Sequence, residues 1–301
     1  MKKVQVLNLI LTIYFLISSS IFGDRIESID NKVVKNNIAY VKGETTPFTG
    51  KFIGTGIEQG YRDGIKNGKY MGKIEIDNEL CQYIGNYVEG IKHGTWIIKY
   101  PNNENKAILE YNYDMPNNQW TYFYDNKQIE GYETFKDGIL YGALVNYDKN
   151  GNILKRANYE NGFLQGELVF FHEGNILDTV ANFSFGNLDG KIEIFSKDNI
   201  LQIEGNYKNN KREGIWRLYY KTGDLKVTIP YRNGLKTGKS IIYDKAGGIV
   251  QINFYENNNE VTSDGKLIKE AKPFKDGIVD RFKNFNKSLK YLKYNKILAE
   301  I

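Results

Sequence analysis

Cysteine and histidine are almost absent from this chain, which has one cysteine, Cys81, and two histidines, His93 and His172. A single cysteine cannot form a disulfide within the chain, and so few Cys and His residues leave a zinc site almost without ligands. The stretch Gly234-Leu-Lys-Thr-Gly238 has three residues between its glycines, where a phosphate-binding P-loop needs four. We therefore expect no catalytic residues, no metal site and no cofactor, and we expect that the chain is not an enzyme.

A strong excess of charge is also missing, since 41 basic residues face 36 acidic ones and the net charge is +5. The charge is concentrated in residues 275–296, where seven basic and two acidic side chains give a local charge of 7 − 2 = +5. One short basic segment is not the broad basic face that nucleic acids require, so we expect no nucleic-acid partner. Hydrophobic content of 41% instead allows a folded core.

The one long apolar run lies at the N-terminus. Two lysines precede apolar residues over 4–17, and small residues follow up to Gly23. This order is typical of a secretory signal peptide, with cleavage after Ser20 or after Gly23, and an uncleaved membrane anchor is the alternative. No cysteine directly follows the apolar run, which excludes a lipoprotein. The sequence predicts export across the inner membrane to the periplasm, the cell surface or the medium.

Aromatic residues, by contrast, recur through the chain with a period of 24. The same step taken from Gly90 or Gly94 reaches mostly Gly, Asn or Asp, residue types that tolerate positive φ. Such regularity predicts a repeat protein. The aromatic positions are Tyr87, Tyr111, Phe135, Tyr159, Phe183, Tyr207, Tyr231 and Tyr255.

Each copy contains two short β-rich runs that are separated by turn residues. After Gly214, residues 215–220 and 225–231 flank a Lys-Thr-Gly-Asp turn, and the second run alternates apolar and polar residues. Two such runs predict a β-hairpin, which is too weak to persist alone and must stack on its neighbours. We therefore predict an all-β fold, an elongated antiparallel β-meander of tandem 24-residue hairpins. A parallel β-helix with one turn per copy is the alternative.

The repeat boundaries divide the chain into four segments. We expect a signal peptide over 1–23, a lead-in over 24–46, a hairpin array over 47–270, and a C-terminal capping hairpin or short helix over 271–301.

Two of these segments have no clear repeat pattern. In the lead-in, the strands are expected at Val33–Val34 and Ile38–Val41. At the C-terminus, we favour a hairpin with strands over 278–282 and 288–294. A helix is the competing interpretation, because the apolar residues over 282–292 follow a 3-4-3 spacing.

The motif Tyr83-x-Gly85-x-Tyr87-x-x-Gly90-x-x-x-Gly94 resembles the consensus of the MORN-repeat family. The chain also resembles the bacterial variant of that family, the YwqK-type antitoxin-like repeat proteins, and the resemblance covers about residues 47–255. It implies an elongated, twisted antiparallel meander that binds protein partners, assembles with itself or contacts lipid headgroups. It implies no activity.

A second aromatic ladder lies in the first strand of each copy, at odd spacing from a ladder that includes Trp96, Trp120 and Trp216. Strand alternation places it on the opposite face of the sheet. Exposed aromatic stripes bind sugars, peptides or another copy of the chain, unless coiling of the sheet buries both faces. The candidate partner-binding residues are Phe123, Tyr147, Phe171, Phe195, Tyr219 and Tyr243.

These observations together predict an exported, non-catalytic repeat scaffold that binds a protein partner or itself, with an immunity or antitoxin-like role as one form. The alternative is a cell-envelope ligand binder that takes polysaccharide or lipid headgroups on the aromatic stripe.

Overall fold

The computed structural model describes residues 25–272, 276–283, 285 and 289–299. The predicted signal peptide, residues 1–23, lies outside the described residues. The chain forms two compact units, the first ending at Met115 and the second starting at Pro116. Among the described helices, none combines the length and the apolar character that crossing a bilayer demands.

In the first unit, strands β4 to β9 form a meander in which each strand pairs antiparallel with the next. Strand β1 pairs in parallel with β4, and β2 and β3 form a separate hairpin, which confirms the two strands predicted for the lead-in. The strands are β1 (Ile26–Ser28), β2 (Lys32–Lys35), β3 (Ile38–Val41), β4 (Gly50–Gly54), β5 (Ile57–Arg62), β6 (Ile65–Ile76), β7 (Glu79–Val88), β8 (Ile91–Lys99) and β9 (Asn105–Asn112).

The second unit is also an antiparallel meander, in which β20 pairs with both β21 and β22. Its strands, with β10 at the boundary, are β10 (Met115–Pro116), β11 (Asn118–Phe123), β12 (Ile129–Lys136), β13 (Ile139–Tyr147), β14 (Ile153–Glu160), β15 (Phe163–His172), β16 (Ile176–Ser184), β17 (Asn187–Phe195), β18 (Leu201–Lys208), β19 (Lys211–Tyr219), β20 (Leu225–Arg232), β21 (Leu235–Lys236), β22 (Gly238–Tyr243), β23 (Ile249–Glu256), β24 (Asn259–Val261) and β25 (Leu267–Lys269).

Pairing with the sequence neighbour confirms the predicted all-β hairpins and excludes the parallel β-helix. The two glycine positions of the motif have different roles. Asp137 and Gly138 both have positive φ, 50° and 83°, as the two central residues of a type I′ turn require. Gly142 (φ 95°) lies in a bulge, where residues 141–143 of β13 oppose the single residue Thr134 of β12.

Backbone hydrogen bonds between turns join successive copies. The Gly162 amide donates to the Leu140 carbonyl at 2.9 Å, and the Gly186 amide donates to the Leu164 carbonyl at 2.9 Å. The same contact recurs along both units, for example from the Gly90 amide to the Lys66 carbonyl at 2.8 Å. Each turn therefore satisfies a backbone group of the preceding copy, which is one reason why a single copy is not self-sufficient.

The ladder that includes Trp96, Trp120 and Trp216 lies on one face of the meander in each unit, which we call the core face. Its rings also explain why another position of the motif is glycine. A Cβ atom on Gly205 would lie 2.3 Å from the Trp216 ring, and a Cβ atom on Gly85 would lie 2.1 Å from the Trp96 ring. In two copies with a smaller ladder residue the opposing residue is alanine, in the pairs Ala157 with Leu168 and Ala181 with Ile192, whereas Leu144 lies opposite Glu133. Side-chain volumes on neighbouring strands are therefore complementary.

The C-terminus is helical, so the favoured capping hairpin is wrong. Helix α1 covers Gly277–Lys283 and helix α2 covers Lys290–Leu298. Both turn apolar side chains towards the sheet, since Phe282, Tyr294 and Leu298 are buried. The four residues of the 3-4-3 spacing do not share one helix, because Phe282 belongs to α1, Leu292 belongs to α2, and Phe285 and Leu289 lie in neither. The first three are buried and Leu292 is exposed, so the segment packs on the sheet through more than one element.

The C-terminal segment, defined here as the described residues from 276 to 299, lies on the core face of the second unit. Phe282 contacts Phe170 and Phe183 with ring centroids 6.0 and 5.4 Å apart. Tyr294 stacks on Tyr122 at 5.1 Å. Each of these aromatic contacts joins the segment to a different strand, so the segment crosses several copies.

A single buried carboxylate fixes the start of helix α2. Glu133, 3% exposed, accepts hydrogen bonds from the backbone amides of Lys290 and Tyr291 at 2.9 and 2.8 Å and from the Tyr122 hydroxyl at 2.8 Å. Burial raises the pKa of Glu133 although these donors oppose the shift. The helix N-terminus needs acceptors for its free amides, and the sheet supplies one at this position.

We expect Gly205→Ala to destabilise the second unit by about 1–3 kcal/mol, because the new methyl group overlaps the Trp216 ring. Trp216→Leu makes room for the methyl group and matches the alanine–leucine pairing of other copies. The double variant should therefore be more stable than the sum of the two single changes predicts, by about 1 kcal/mol or more. Urea unfolding of all four proteins measures this coupling, and strictly additive effects would contradict the packing argument.

Candidate functional site

The clearest recognition site in the described residues binds a carboxylate of the chain itself. Arg212 donates from Nε and Nη2 to the two oxygens of Asp276 at 2.9 and 3.1 Å, and the Tyr207 hydroxyl donates to the same carboxylate at 2.8 Å. The pair is largely shielded, with 16% and 17% of the two side chains exposed. We call Tyr207, Arg212, Trp216 and Tyr231 the carboxylate clamp.

Aromatic rings position the cation of the clamp. The Arg212 guanidinium carbon lies 4.2 Å from the Trp216 ring centroid and 5.4 Å from that of Tyr231. Burial opposes the charged form of Asp276, but the hydrogen bonds from Arg212 and Tyr207 outweigh it, so the pKa of Asp276 is lowered. Desolvation also raises the pKa of Tyr207, which keeps its hydroxyl protonated as a donor.

The first unit contains the same arrangement 120 residues, or five copies of 24, earlier in the chain: Tyr87, Lys92, Trp96 and Tyr111. The ring centroids of Tyr87 and Trp96 are 5.2 Å apart at 88°, against 5.1 Å at 89° for Tyr207 and Trp216. The Lys92 ammonium lies 5.7 Å from the Trp96 ring and 5.6 Å from the Tyr87 ring. Lysine replaces arginine in an otherwise matching frame.

A second lysine occupies the equivalent position in the preceding copy. The Lys66 ammonium lies 5.3 Å from the Tyr70 ring and 5.0 Å from the Tyr87 ring. Desolvation lowers the pKa of both Lys66 and Lys92, and the charge of Lys92 lowers that of Lys66 further. We call Lys66 and Lys92, with their tyrosine and tryptophan neighbours, the lysine–aromatic face of the first unit.

The residue two positions after each turn is apolar in some copies and basic in others, and the difference corresponds to what packs on the core face of that copy. In the copies that the C-terminal segment crosses, this position holds buried Leu140, Leu164 and Leu188. Arg212 occupies it where Asp276 binds, and lysine occupies it in the first unit, at Lys66 and Lys92. This change from apolar to basic is visible in the sequence, and our sequence reasoning missed it.

Two further acidic residues of the sheet hold the C-terminal segment. Asp178 binds the Arg281 guanidinium at 2.7 Å, and Glu130 forms an ion pair with Lys290. Both acids are the extra residues of β-bulges, since the register steps from Thr179 to Leu177 and from Gly131 to Ile129 opposite single steps of the partner strand. A bulge re-aims a side chain, so the hairpin pattern alone did not predict these contacts.

The six residues of the predicted stripe are all partly exposed. Each follows the register shift of its own hairpin directly, as Tyr219 does after Leu218. The Tyr219 hydroxyl donates to Glu204 at 2.8 Å, and Tyr147 lines a cavity of about 290 Å³. The stripe therefore exists as a regular surface feature, and its role as a binding site stays a prediction.

The described residues contain no group of three or more His, Cys, Asp or Glu side chains placed to hold a metal ion. His93 and His172 lie in different copies, and His172 contacts the Phe195 carbonyl at 3.3 Å. This contact links one copy to the next, as the Tyr124 hydroxyl does by donating to the Tyr147 carbonyl at 2.7 Å. His172 therefore has a structural contact in the repeat.

Similarity to solved structures is weak. A GtfA/B complex bound to UDP and GlcNAc is 12% identical (TM-score 0.18), with 38% of this chain and 22% of that chain covered. Alternansucrase in complex with isomaltononaose is also 12% identical (TM-score 0.23; 75% and 18% covered). Choline binding protein F from Streptococcus pneumoniae is 14% identical (TM-score 0.20; 79% and 98% covered). The chain thus spans about a fifth of the first two structures.

Among curated proteins, none matches this sequence. A family model described as a MORN repeat variant matches residues 140–161, 188–209 and 212–233. These matches lie on hairpins of the second unit and begin near the residue that follows each turn by two positions. The chain is therefore similar to the MORN repeat variant at three of its copies, which supports the MORN-repeat resemblance and a repeat scaffold of the binding type.

Proposed function

We propose that this chain is an exported, non-catalytic scaffold that binds a protein partner on the core face of its sheets. One observation carries the proposal: the core face of the second unit already binds a polypeptide, the C-terminal segment of the same chain. The contacts are aromatic rings, such as Phe282 on Phe183 at 5.4 Å, surrounded by charged pairs such as Arg212 with Asp276 at 2.9 Å. Aromatic anchors with arginine at their edge are typical of protein–protein interfaces.

The export component is supported by the N-terminal order of two lysines, an apolar run and small residues. Outside the cytoplasm, a scaffold of this kind fits either an immunity-type role or self-association. Intact mass of the exported chain should show a new N-terminus after Ser20 or Gly23. Recovery only as full-length protein in the cytoplasm would contradict export.

The binding of a polypeptide by the core face can be tested by cutting the chain. A protease site inserted between the exposed residues Ala271 and Lys272 separates the C-terminal segment after folding. We expect the cleaved segment to co-elute with the sheet and to exchange with a labelled peptide of residues 272–301, because the contacts do not depend on the covalent link. Separate elution, with strand content retained by circular dichroism, would contradict the proposal.

In the same cleaved protein, Asp276→Asn should weaken peptide binding by about tenfold or more, because hydrogen bonds to charged groups contribute about 1.5–3 kcal/mol. The matched control is Asp125→Asn in an exposed pair with Lys149, each side chain 60% exposed, which should change binding by about twofold at most. The folded pKa of Asp276 is depressed, so its stabilisation is present above the unfolded pKa of about 3.9 and is lost as the pH falls through the lower folded value. The difference between wild type and variant should disappear in that acidic range.

A second candidate function, recognition of envelope polysaccharide or lipid headgroups, is favoured by the partial exposure of all six stripe residues. Changing Tyr147, Phe171 and Tyr219 to serine should reduce binding to cell-wall or lipid preparations about tenfold or more, since ring stacking is lost. The matched control changes three other exposed aromatic residues, Tyr141, Phe163 and Phe185, to serine. Equal binding by both triple variants would count against the stripe.

A further inference from the structure

We propose that the lysine–aromatic face of the first unit binds an acidic polypeptide segment, with Lys66 and Lys92 each receiving one carboxylate. The inference rests on the proposed protein-binding function and names the chemistry of the partner. It follows from a comparison within the chain, because the carboxylate clamp of the second unit shows what this arrangement of side chains binds. Asp276 is the observed occupant of that clamp.

The two sites match in geometry as well as in sequence. Trp216 and Tyr231 have ring centroids 6.0 Å apart at 66°, and Trp96 and Tyr111 have centroids 6.3 Å apart at 77°. In both sites the cation lies against the tryptophan, at 4.2 Å for Arg212 and 5.7 Å for Lys92. Tyr87 corresponds to Tyr207, whose hydroxyl donates to the bound carboxylate. The first unit therefore has both donors that Asp276 uses in the second.

Positive charge is in excess on the lysine–aromatic face, because the charges of Lys32 and Lys92 both act on Lys66, while Asp114 is the acidic group that acts on Lys66 and Lys92. The acidic group whose charge acts on Lys92 is Asp114, and its carboxylate already accepts the backbone amide of Lys92 at 2.8 Å. Desolvation lowers the pKa of Lys92 and Lys66, so each ammonium has lost part of its hydration. A carboxylate that replaces the lost water would be held by a charge-assisted hydrogen bond in a low-dielectric environment.

Two lysines in successive copies set the spacing of the acidic groups. One copy contributes two strands, so equivalent positions in neighbouring copies lie about 10 Å apart. Side chains on one side of an extended peptide recur at every second residue, so carboxylates two or four residues apart, about 7 or 13 Å, bracket this spacing, and the flexible lysine side chains reach both. A segment with several neighbouring Asp or Glu residues meets this requirement in more than one register.

The test uses the full mature chain and fluorescein-labelled decaglutamate, with decaglutamine as the uncharged control peptide. Fluorescence anisotropy at physiological salt should show binding of decaglutamate and none of decaglutamine. Lys66→Gln with Lys92→Gln should weaken binding about tenfold or more, because both ammonium groups are lost. Lys92→Arg should strengthen it several-fold, because arginine presents the fork that holds Asp276.

The matched control replaces the exposed Lys221 and Lys239 with glutamine, which removes the same charge elsewhere. An equal loss in this control would assign the binding to net charge and overturn the proposal. Inorganic phosphate or phosphatidylglycerol vesicles that bind in the same Lys66- and Lys92-dependent way, with decaglutamate bound no better, would assign the face to phosphate groups instead. Failure here with success of the cleaved-chain experiment would reject this inference alone and leave the proposed function in place.

Discussion

Packing of core-face side chains between successive copies is the interaction on which this fold depends, and edge-to-face contact between aromatic rings is one form of it. Trp216 meets Tyr207 of its own hairpin at 5.1 Å and Tyr231 of the following one at 6.0 Å, so one ring belongs to two copies. Because such a ring contacts rings on both neighbouring strands, the copies that share it must keep their register. Glycine lies opposite the ring in two of the three tryptophan copies, since a Cβ atom on Gly85 or Gly205 would overlap Trp96 or Trp216. Turn chemistry then follows from the fixed strand lengths.

The hairpins could be predicted from the sequence because their signals are local and repeated. Positive φ in the type I′ turns and bulges favours Gly, Asn and Asp, and these residue types recur at the step of 24 through most of the array. The C-terminal segment has no such repeated turn residues. Its apolar spacing fits a strand or a helix when taken alone, and the choice depends on a sheet face far away in sequence. Glu133 is the one residue in the sequence that indicates this contact. A carboxylate among apolar core-face positions needs a hydrogen-bond partner, and the repeat itself does not supply one.

The aromatic stripe could be predicted from the sequence, whereas the carboxylate clamp could not. Strand alternation alone places Tyr147 and its equivalents on one surface, but it cannot say whether anything binds there. The clamp could not be found from spacing, because Arg212 and Asp276 are 64 residues apart and Asp276 belongs to no copy. Asp178 and Glu130 were hidden for another reason: bulges change the direction of these side chains, and alternation is the rule that bulges break.

The core face of each unit is apolar and aromatic, and the chain covers it in two ways. In the second unit, leucines such as Leu164 and Leu188 are buried where the C-terminal segment crosses the sheet. In the first unit, the ammonium groups of Lys66 and Lys92 both lie near the Tyr87 ring, at 5.0 and 5.6 Å from its centroid. The leucines suit an apolar occupant, because separating the C-terminal segment from the sheet exposes apolar area to water. On the lysine–aromatic face, Lys66 and Lys92 place a cation against the rings in each of two copies, which is the charge that an acidic partner requires.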